Sequence, residues 1–341
     1  MEQEKIERTF EVAGPASLTL ANISGSVDIQ AGDDGVIAVT AVKSQNGDAE
    51  HTRIEMNQNS DGAVSILTEY GESFWRFFGQ RPSDVAYTVR VPRDCSLQLK
   101  CVSSSGRVTG LNGKHDLSAV SGDLTVENLS GTIKASLVSG SLTGRQLQGP
   151  SEIETVSGRI DLQACTFDSL RLATVSGHAT VETPLGAGPY RLHSVSGGVQ
   201  LALPIAARAT VDFSSLSGRL ATNLATTNSR QTGTHRHVEL QGGGAEIRFD
   251  SISGDLNINP PQGLMTTNIA KPVAATPLVT ETFKAPAEAV MAPPAPASAL
   301  EAPAAPADPA INEAATLRRS ILDRVARGEI TVDEAINLLR G

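Results

Sequence analysis

The feature that most constrains this chain is a tripeptide that returns along its length. Val120-Ser121-Gly122, Val138-Ser139-Gly140, Val156-Ser157-Gly158, Val175-Ser176-Gly177 and Val195-Ser196-Gly197 are followed by Leu216-Ser217-Gly218 and Ile252-Ser253-Gly254, and Ile23-Ser24-Gly25 opens the series. The glycines at 106, 122, 140, 158, 177, 197 and 218 are separated by 16, 18, 18, 19, 20 and 21 residues. A stack of repeats tolerates such a drift when its insertions fall in turns. An architecture of this kind offers an extended surface rather than an enclosed pocket.

Aligned on the glycine, the copies become chemical columns. Two residues after it stand Val108, Leu124, Leu142, Ile160, Ala179, Val199, Leu220 and Leu256; five before it stand Cys101, Leu117, Ala135, Ile153, Leu172, Leu192, Phe213 and Phe249. A further apolar column, seven before, is interrupted only by His115 and Ser151. Polar residues separate these columns, so each segment alternates with period two, as a strand with one face inward does. A Ser-Gly pair between two such strands gives the backbone freedom for a bend or bulge.

Six before the glycine every residue is charged: Lys100, Asp116, Lys134, Glu152, Arg171, Arg191, Asp212 and Arg248. The sign alternates through the first five. With one copy per rung, equivalent residues lie about 4.8 Å apart, so opposite charges pair and like charges repel. The column predicts an external ladder that holds the rungs in register; its functional alternative is a ligand-binding stripe. Arg171 beside Arg191 breaks the alternation, and there a bound anion would help.

These columns predict an all-β fold, a β-solenoid or β-helix-like stack of rungs about 18–20 residues long, occupying residues 101–258. Residues 1–100 form an N-terminal β region with the first rung and hairpins, its apolar segments falling at Leu18 to Ile29, Val36 to Val42, around Ile54, Val64 to Leu67 and Tyr87 to Val91. The only tryptophan sits in the cluster Phe74-Trp75-Arg76-Phe77-Phe78, between Gly71 and Gly79. Phe74, Trp75, Phe77 and Phe78 read as a hydrophobic plug on the stack, or as an exposed tip for peripheral contact with a membrane or a partner.

Beyond Asn259 the composition changes. Eleven of the 18 prolines lie between Pro260 and Pro309, a density that permits neither ladder nor regular helix and predicts a disordered Pro/Ala-rich linker over 259–311. Residues 312–341 then predict a small α-helical hairpin. Leu317, Ile321, Leu322 and Val325 make one helical stripe, Thr331 to Glu334 a capping box, and Val332, Ala335, Ile336 and Leu339 a second stripe. So small a unit needs a surface to dock on, so Ile321, Val325, Ile336 and Leu339 are expected to carry self-association or a protein partner.

A net charge of −9 with no Lys/Arg run argues against nucleic acid as a partner. The acidic start Met1 to Glu7 lacks the pattern of a secretory signal, and no stretch approaches a membrane span, so a cytoplasmic location is expected. Cys95, Cys101 and Cys165 have no metal-ligand spacing and read as reduced thiols. His235 and His237 form an alternating pair without an evident third ligand. No cofactor or metal is called for.

The repeated Val-Ser-Gly rungs, preceded by Val89-Arg90-Val91-Pro92, resemble the bacterial putative-adhesin β-strand-repeat proteins, also described as toastrack domains, over roughly residues 10 to 258. The stretch Ile321 to Leu339 is similar to a short two-helix module of oligomerisation type that often accompanies them. The resemblance implies a rack of strands and a link to cell-envelope stress responses, and it brings no catalytic residues. The function expected is a non-enzymatic interaction scaffold. Its alternatives are a β-helix carbohydrate-active enzyme, for which Arg159 and His178 are the nearest candidates, and a structural module acting only through its C-terminal helices.

Overall fold

A computed structural model describes residues 4–45, 47–70 and 82–261. The aromatic cluster at 74–78, the predicted linker from residue 262 on and the predicted helical hairpin with Ile321, Val325, Ile336 and Leu339 lie outside the described residues. Every regular element among the described residues is a strand. The N-terminal region contributes β1 (Glu4–Glu11), β2 (Ala16–Ala31), β3 (Val36–Lys43), β4 (Thr52–Gln58), β5 (Val64–Tyr70), β6 (Val85–Val91) and β7 (Cys95–Thr109). The repeats contribute β8 (Asn112–Ala119), β9 (Leu124–Glu127), β10 (Ser130–Leu137), β11 (Ser141–Arg145), β12 (Ser151–Thr155), β13 (Arg159–Gln163), β14 (Leu170–Thr174), β15 (His178–Glu182), β16 (Tyr190–Ser194) and β17 (Val199–Ala202). The last part holds β18 (Ala209–Ser215), β19 (Leu220–Thr222), β20 (Thr226–Thr232), β21 (His235–Leu240), β22 (Ala245–Ser251) and β23 (Leu256–Asn259).

Each repeat is one rung with two strands, and each strand pairs in parallel with its equivalent in the neighbouring rungs. The first strands form one wall, running from β8 through β10, β12 and β14 to β16. The second strands form another, running from β9 through β11, β13 and β15 to β17. Leu124, Leu142, Ile160, Ala179 and Val199 are partners in register along the second wall, which is the predicted apolar column. On the first wall Leu117, Ala135, Ile153, Leu172 and Leu192 do the same. Both columns point inward, and one buried, mainly aliphatic core runs from Val12 to Ile258.

The N-terminal strands close one end of this rack. β2 lies parallel to β7 from Ala16↔Cys95 to Gln30↔Thr109, crossing from one wall to the other as it goes. β5 then joins the first half of β2 and β6 its second half. Antiparallel strands finish both edges: β4 on β5, and β3 on β6 followed by β1 on β3. β1 carries Glu4, Lys5, Glu7, Arg8 and Glu11, charges that keep an exposed edge from recruiting another strand. Asn22 rather than Ile23 takes the inner position at the bend; its amide donates to the Val85 carbonyl (3.0 Å), and Thr68 links it to the Tyr87 hydroxyl.

Two details differ from the predicted columns. The first concerns register: Gly106 pairs with Leu124, and Leu99 with Leu117. The copy at 99–108 is therefore displaced by two residues, Ser104 standing over Gly122 and Gln98 beside Asp116 in the place expected for Lys100. The second concerns rung order. β22 pairs with β16 on one side and β18 on the other, and β23 lies likewise between β17 and β19. The last rung in sequence is thus the penultimate one in space. The cause lies at the other edge of β18, where β21 pairs antiparallel from Ala209↔Leu240 to Ser214↔His235 and is itself covered by β20. With that edge taken by a hairpin, only the opposite edge is open to β22. Phe213 and Phe249 stack as a result, ring centroids 5.4 Å apart and planes within 2°.

The Ser-Gly corner is tight for a reason other than backbone torsion. A Cβ on Gly158 or Gly177 would lie 2.3 Å from the carbonyl oxygen of the preceding rung's glycine, and one on Gly197 only 1.8 Å from that of Gly177. The glycines stack on one another, and only a residue without a side chain allows rungs to approach this closely. From the third repeat on, a hydroxyl three residues earlier secures the bend: Gly158 donates its N–H to Thr155 Oγ1 (3.0 Å), Gly177 to Thr174 Oγ1 (2.8 Å) and Gly197 to Ser194 Oγ (2.9 Å). Where one rung passes to the next, Gly110, Asn128, Gln146 and Ala164 all have positive φ, between 50° and 79°. Leu111, Leu129, Leu147 and Cys165 follow them into the core.

Candidate binding face

The outward side of the first wall carries the charge row, and its observed order is Gln98, Asp116, Lys134, Glu152, Arg171, Arg191, Arg248, Asp212 and His237. Opposite signs alternate only as far as Arg171. Insertion of β22 then places Arg248 beside Arg191, where sequence order would have placed Asp212. Three guanidinium groups stand on adjacent strands in register, about 4.8 Å apart in the backbone.

Their neighbours treat them unequally. Arg171 Nε lies 3.2 Å from Glu152 Oε1 and 4.0 Å from Glu154 Oε1, and Arg248 Nε lies 3.0 Å from Asp250 Oδ2. Asp212 is engaged by His237 Nδ1 at 2.6 Å. Arg191, between the two other arginines, makes no ion pair or hydrogen bond with its side chain among the described residues. Exposed ladders of mixed sign are mostly a solvated face, but a run of like charge is held apart by repulsion, and an anion placed there relieves it.

Arg171 and Arg191 line an open groove of about 540 Å³ on the strand starts of the first wall. Its rim adds Lys114, Lys134 and Glu152, and its floor holds Ile133, Leu170, Pro150 and Pro189. Arg248 lines a second hollow, about 310 Å³, with Arg230, Arg236 and the Asp212–His237 pair. Beneath the first groove sit the two polar exceptions of the inner column, His115 and Ser151. His115 is fully buried; its Nε2 lies 3.3 Å from the Ser130 carbonyl, while Nδ1 has no partner.

Burial pushes the His115 pKa below its usual value, so on acidification the unfolded chain takes up a proton on this ring before the folded chain does. The folded state then binds fewer protons below about pH 6.5, and stability falls with pH from there. Urea melts between pH 7 and 5 are expected to show a stability slope of up to about 1.4 kcal/mol per pH unit from this group, and His115→Leu is expected to remove that part of the slope. An unchanged slope in the variant would mean that other groups cause it.

Other residues singled out in the sequence fall as follows. Arg159 and His178 are partners in register on the second wall. Arg159 and His178 each directly follow a repeat glycine, and the acidic residues at that same place are used structurally: Asp123 Oδ1 accepts the Ser141 N–H and Asp255 Oδ1 the Arg219 N–H, each at 2.8 Å. Cys95, Cys101 and Cys165 are buried free thiols whose pKa burial raises to about 11, so they are neutral and unreactive at physiological pH. His235 and His237 both border the second hollow, and no group of three metal-ligating side chains occurs among the described residues. Phe74, Trp75, Phe77 and Phe78, like Ile321, Val325, Ile336 and Leu339, lie outside the described residues. No helix among the described residues is long and apolar enough to cross a membrane.

Comparison with known proteins gives one family match. The family model described as Toastrack DUF4097 matches residues 16–259, a span that starts with the first residue of β2 and ends with the last of β23. Among solved structures, a "putative adhesin" from Parabacteroides merdae is similar over 75% of this chain and 96% of its own, with 10% identity and a TM-score of 0.42. Another "putative adhesin", from Bacteroides fragilis, is similar over 75% and 97% at 9% identity with a TM-score of 0.39. A "putative cell adhesion protein" from Clostridium sporogenes covers 76% and 100% at 12% identity with a TM-score of 0.27. No curated protein matches the chain.

Proposed function

Because the chain belongs to the toastrack family, whose model covers β2 to β23, we propose that it is a non-enzymatic interaction module whose ligand lies on the outer face of the first wall. The observation that carries this reading is the in-register run of Arg171, Arg191 and Arg248, with Arg191 unpaired among the described residues. A rigid rack spaces such groups at a fixed repeat, which favours recognition of an extended partner by many weak contacts. The neutral thiols and the carboxylates tied to backbone N–H groups fit a module that holds rather than transforms. The helical pair at 312–341 is proposed to tether a protein partner or a second copy through the linker. A cytoplasmic location and a role in envelope stress belong to the same proposal; the first rests on the acidic start Met1 to Glu7 and the lack of a long apolar stretch, the second on the sequence resemblance.

The test is to incubate the full chain with fractionated extract of the cells that produce it and to follow hydrogen exchange. Protection is expected over β14, β16 and β22, with the bound component's mass unchanged. A component released chemically altered, or protection confined to the second wall, would overturn the reading. Subcellular fractionation before and after envelope damage addresses location; recovery outside the cytoplasm would refute that part.

A further inference from the structure

Resting on that binding reading, we propose that the face is a track for an extended acidic polysaccharide carrying one carboxylate per sugar, laid across the strands along the axis of the rack. Four observations converge. The cationic groups repeat at the rung spacing, about 4.8 Å, which is close to the advance of a glycan chain per pyranose ring. They run from the first groove into the second hollow without interruption, because Arg191 borders one, Arg248 the other, and the two residues are strand partners. Pro150 and Pro189 give the first groove apolar ground at its surface, suited to the C–H face of a sugar ring, while the cations at its rim take the carboxylates in charge-assisted hydrogen bonds. Beneath it, the buried His115 keeps one ring nitrogen unpaired, a polar group in a column that is otherwise almost wholly apolar.

A peptide strand fits less well. The strands here are interior ones whose backbone N–H and C=O groups are already used by both neighbours, so no strand can be added to them. Topology adds a further argument. Stacked in sequence order, the rungs would have set Asp212 against Arg191 and closed the row in neutral pairs; the observed order leaves a run of positive charge on the outside of an acidic chain.

Titration calorimetry of the full chain with a short oligogalacturonate decides the matter, with its methyl ester, poly-L-glutamate and polyphosphate as comparison probes. Binding of the oligogalacturonate that weakens as salt is raised is expected, with none for the neutral ester. Arg191→Glu is expected to weaken it by about tenfold or more. Arg159→Glu, the same charge change on the second wall, should stay within about twofold, and circular dichroism shows whether both variants remain folded. No affinity for oligogalacturonate, equal affinity for its ester, tighter binding of polyglutamate or polyphosphate, or an equal loss in Arg159→Glu each overturns the proposal. A hydrogen-exchange footprint on the first wall together with any of these results would remove the ligand and leave the interaction module standing.

Discussion

Gly197→Ala is expected to lower the stability of the rack by about 3 kcal/mol. The added methyl would sit 1.8 Å from the Gly177 carbonyl oxygen and 2.9 Å from its carbon. Both are backbone atoms locked in the neighbouring rung, so no rotamer change relieves the clash. The rungs must separate, which loosens the Ser196 N–H bond to the Val175 carbonyl (2.8 Å) and the Gly197 N–H bond to Ser194 Oγ (2.9 Å). Gly14→Ala is the matched control, since a Cβ there meets nothing within 4 Å and φ is not positive; it is expected to be neutral or stabilising by up to about 1 kcal/mol. Denaturant titration of the two variants measures both. Equal midpoints would show that the corner glycines serve flexibility and not close stacking.

Phe249→Ala is expected to cost about 4 kcal/mol. The ring is fully buried and stacked on Phe213, itself almost buried. Its strand lies between β16 and β18, so the cavity falls inside the stack. In a rack, stability is roughly a sum of rung and interface contributions, so weakening both interfaces of one inner rung should detach the terminal segment Ala209–Leu240 from the remainder. Calorimetry is expected to show the single unfolding transition of the parent broaden or split. A purely shifted, equally sharp transition would mean that the rack unfolds as one unit.

Much of this architecture is legible in the residues. The spacing of the Ser-Gly pairs and the apolar columns beside them place Leu124, Leu142 and Ile160 on one another, as observed. Three things are less visible. Rung order is hidden because Leu192 accepts Phe249 or Phe213 equally well, and the choice is made by the β20–β21 hairpin occupying one edge of β18. The offset of the first copy is hidden because β2 and β7 pass through the corner as continuous strands; without a sharp bend there, Ser104 serves where later rungs need glycine. The hydroxyl column that secures the bends begins only at Thr155, the earlier copies carrying Ala119 and Leu137 at that place. For the binding face the sequence points to Arg171 and Arg191 but not to Arg248, which reaches them only through the altered rung order.

That order bears on how the molecule is made. Until residues 245–259 leave the ribosome, the hairpin-capped segment before them has no platform: its partner edge belongs to β22 and β23, not to the rung that was synthesised just ahead of it. The last stretch of the rack to emerge is therefore its keystone, and a nascent chain stalled or clipped before Ala245 would carry a complete set of earlier rungs with an unanchored flap at the growing end.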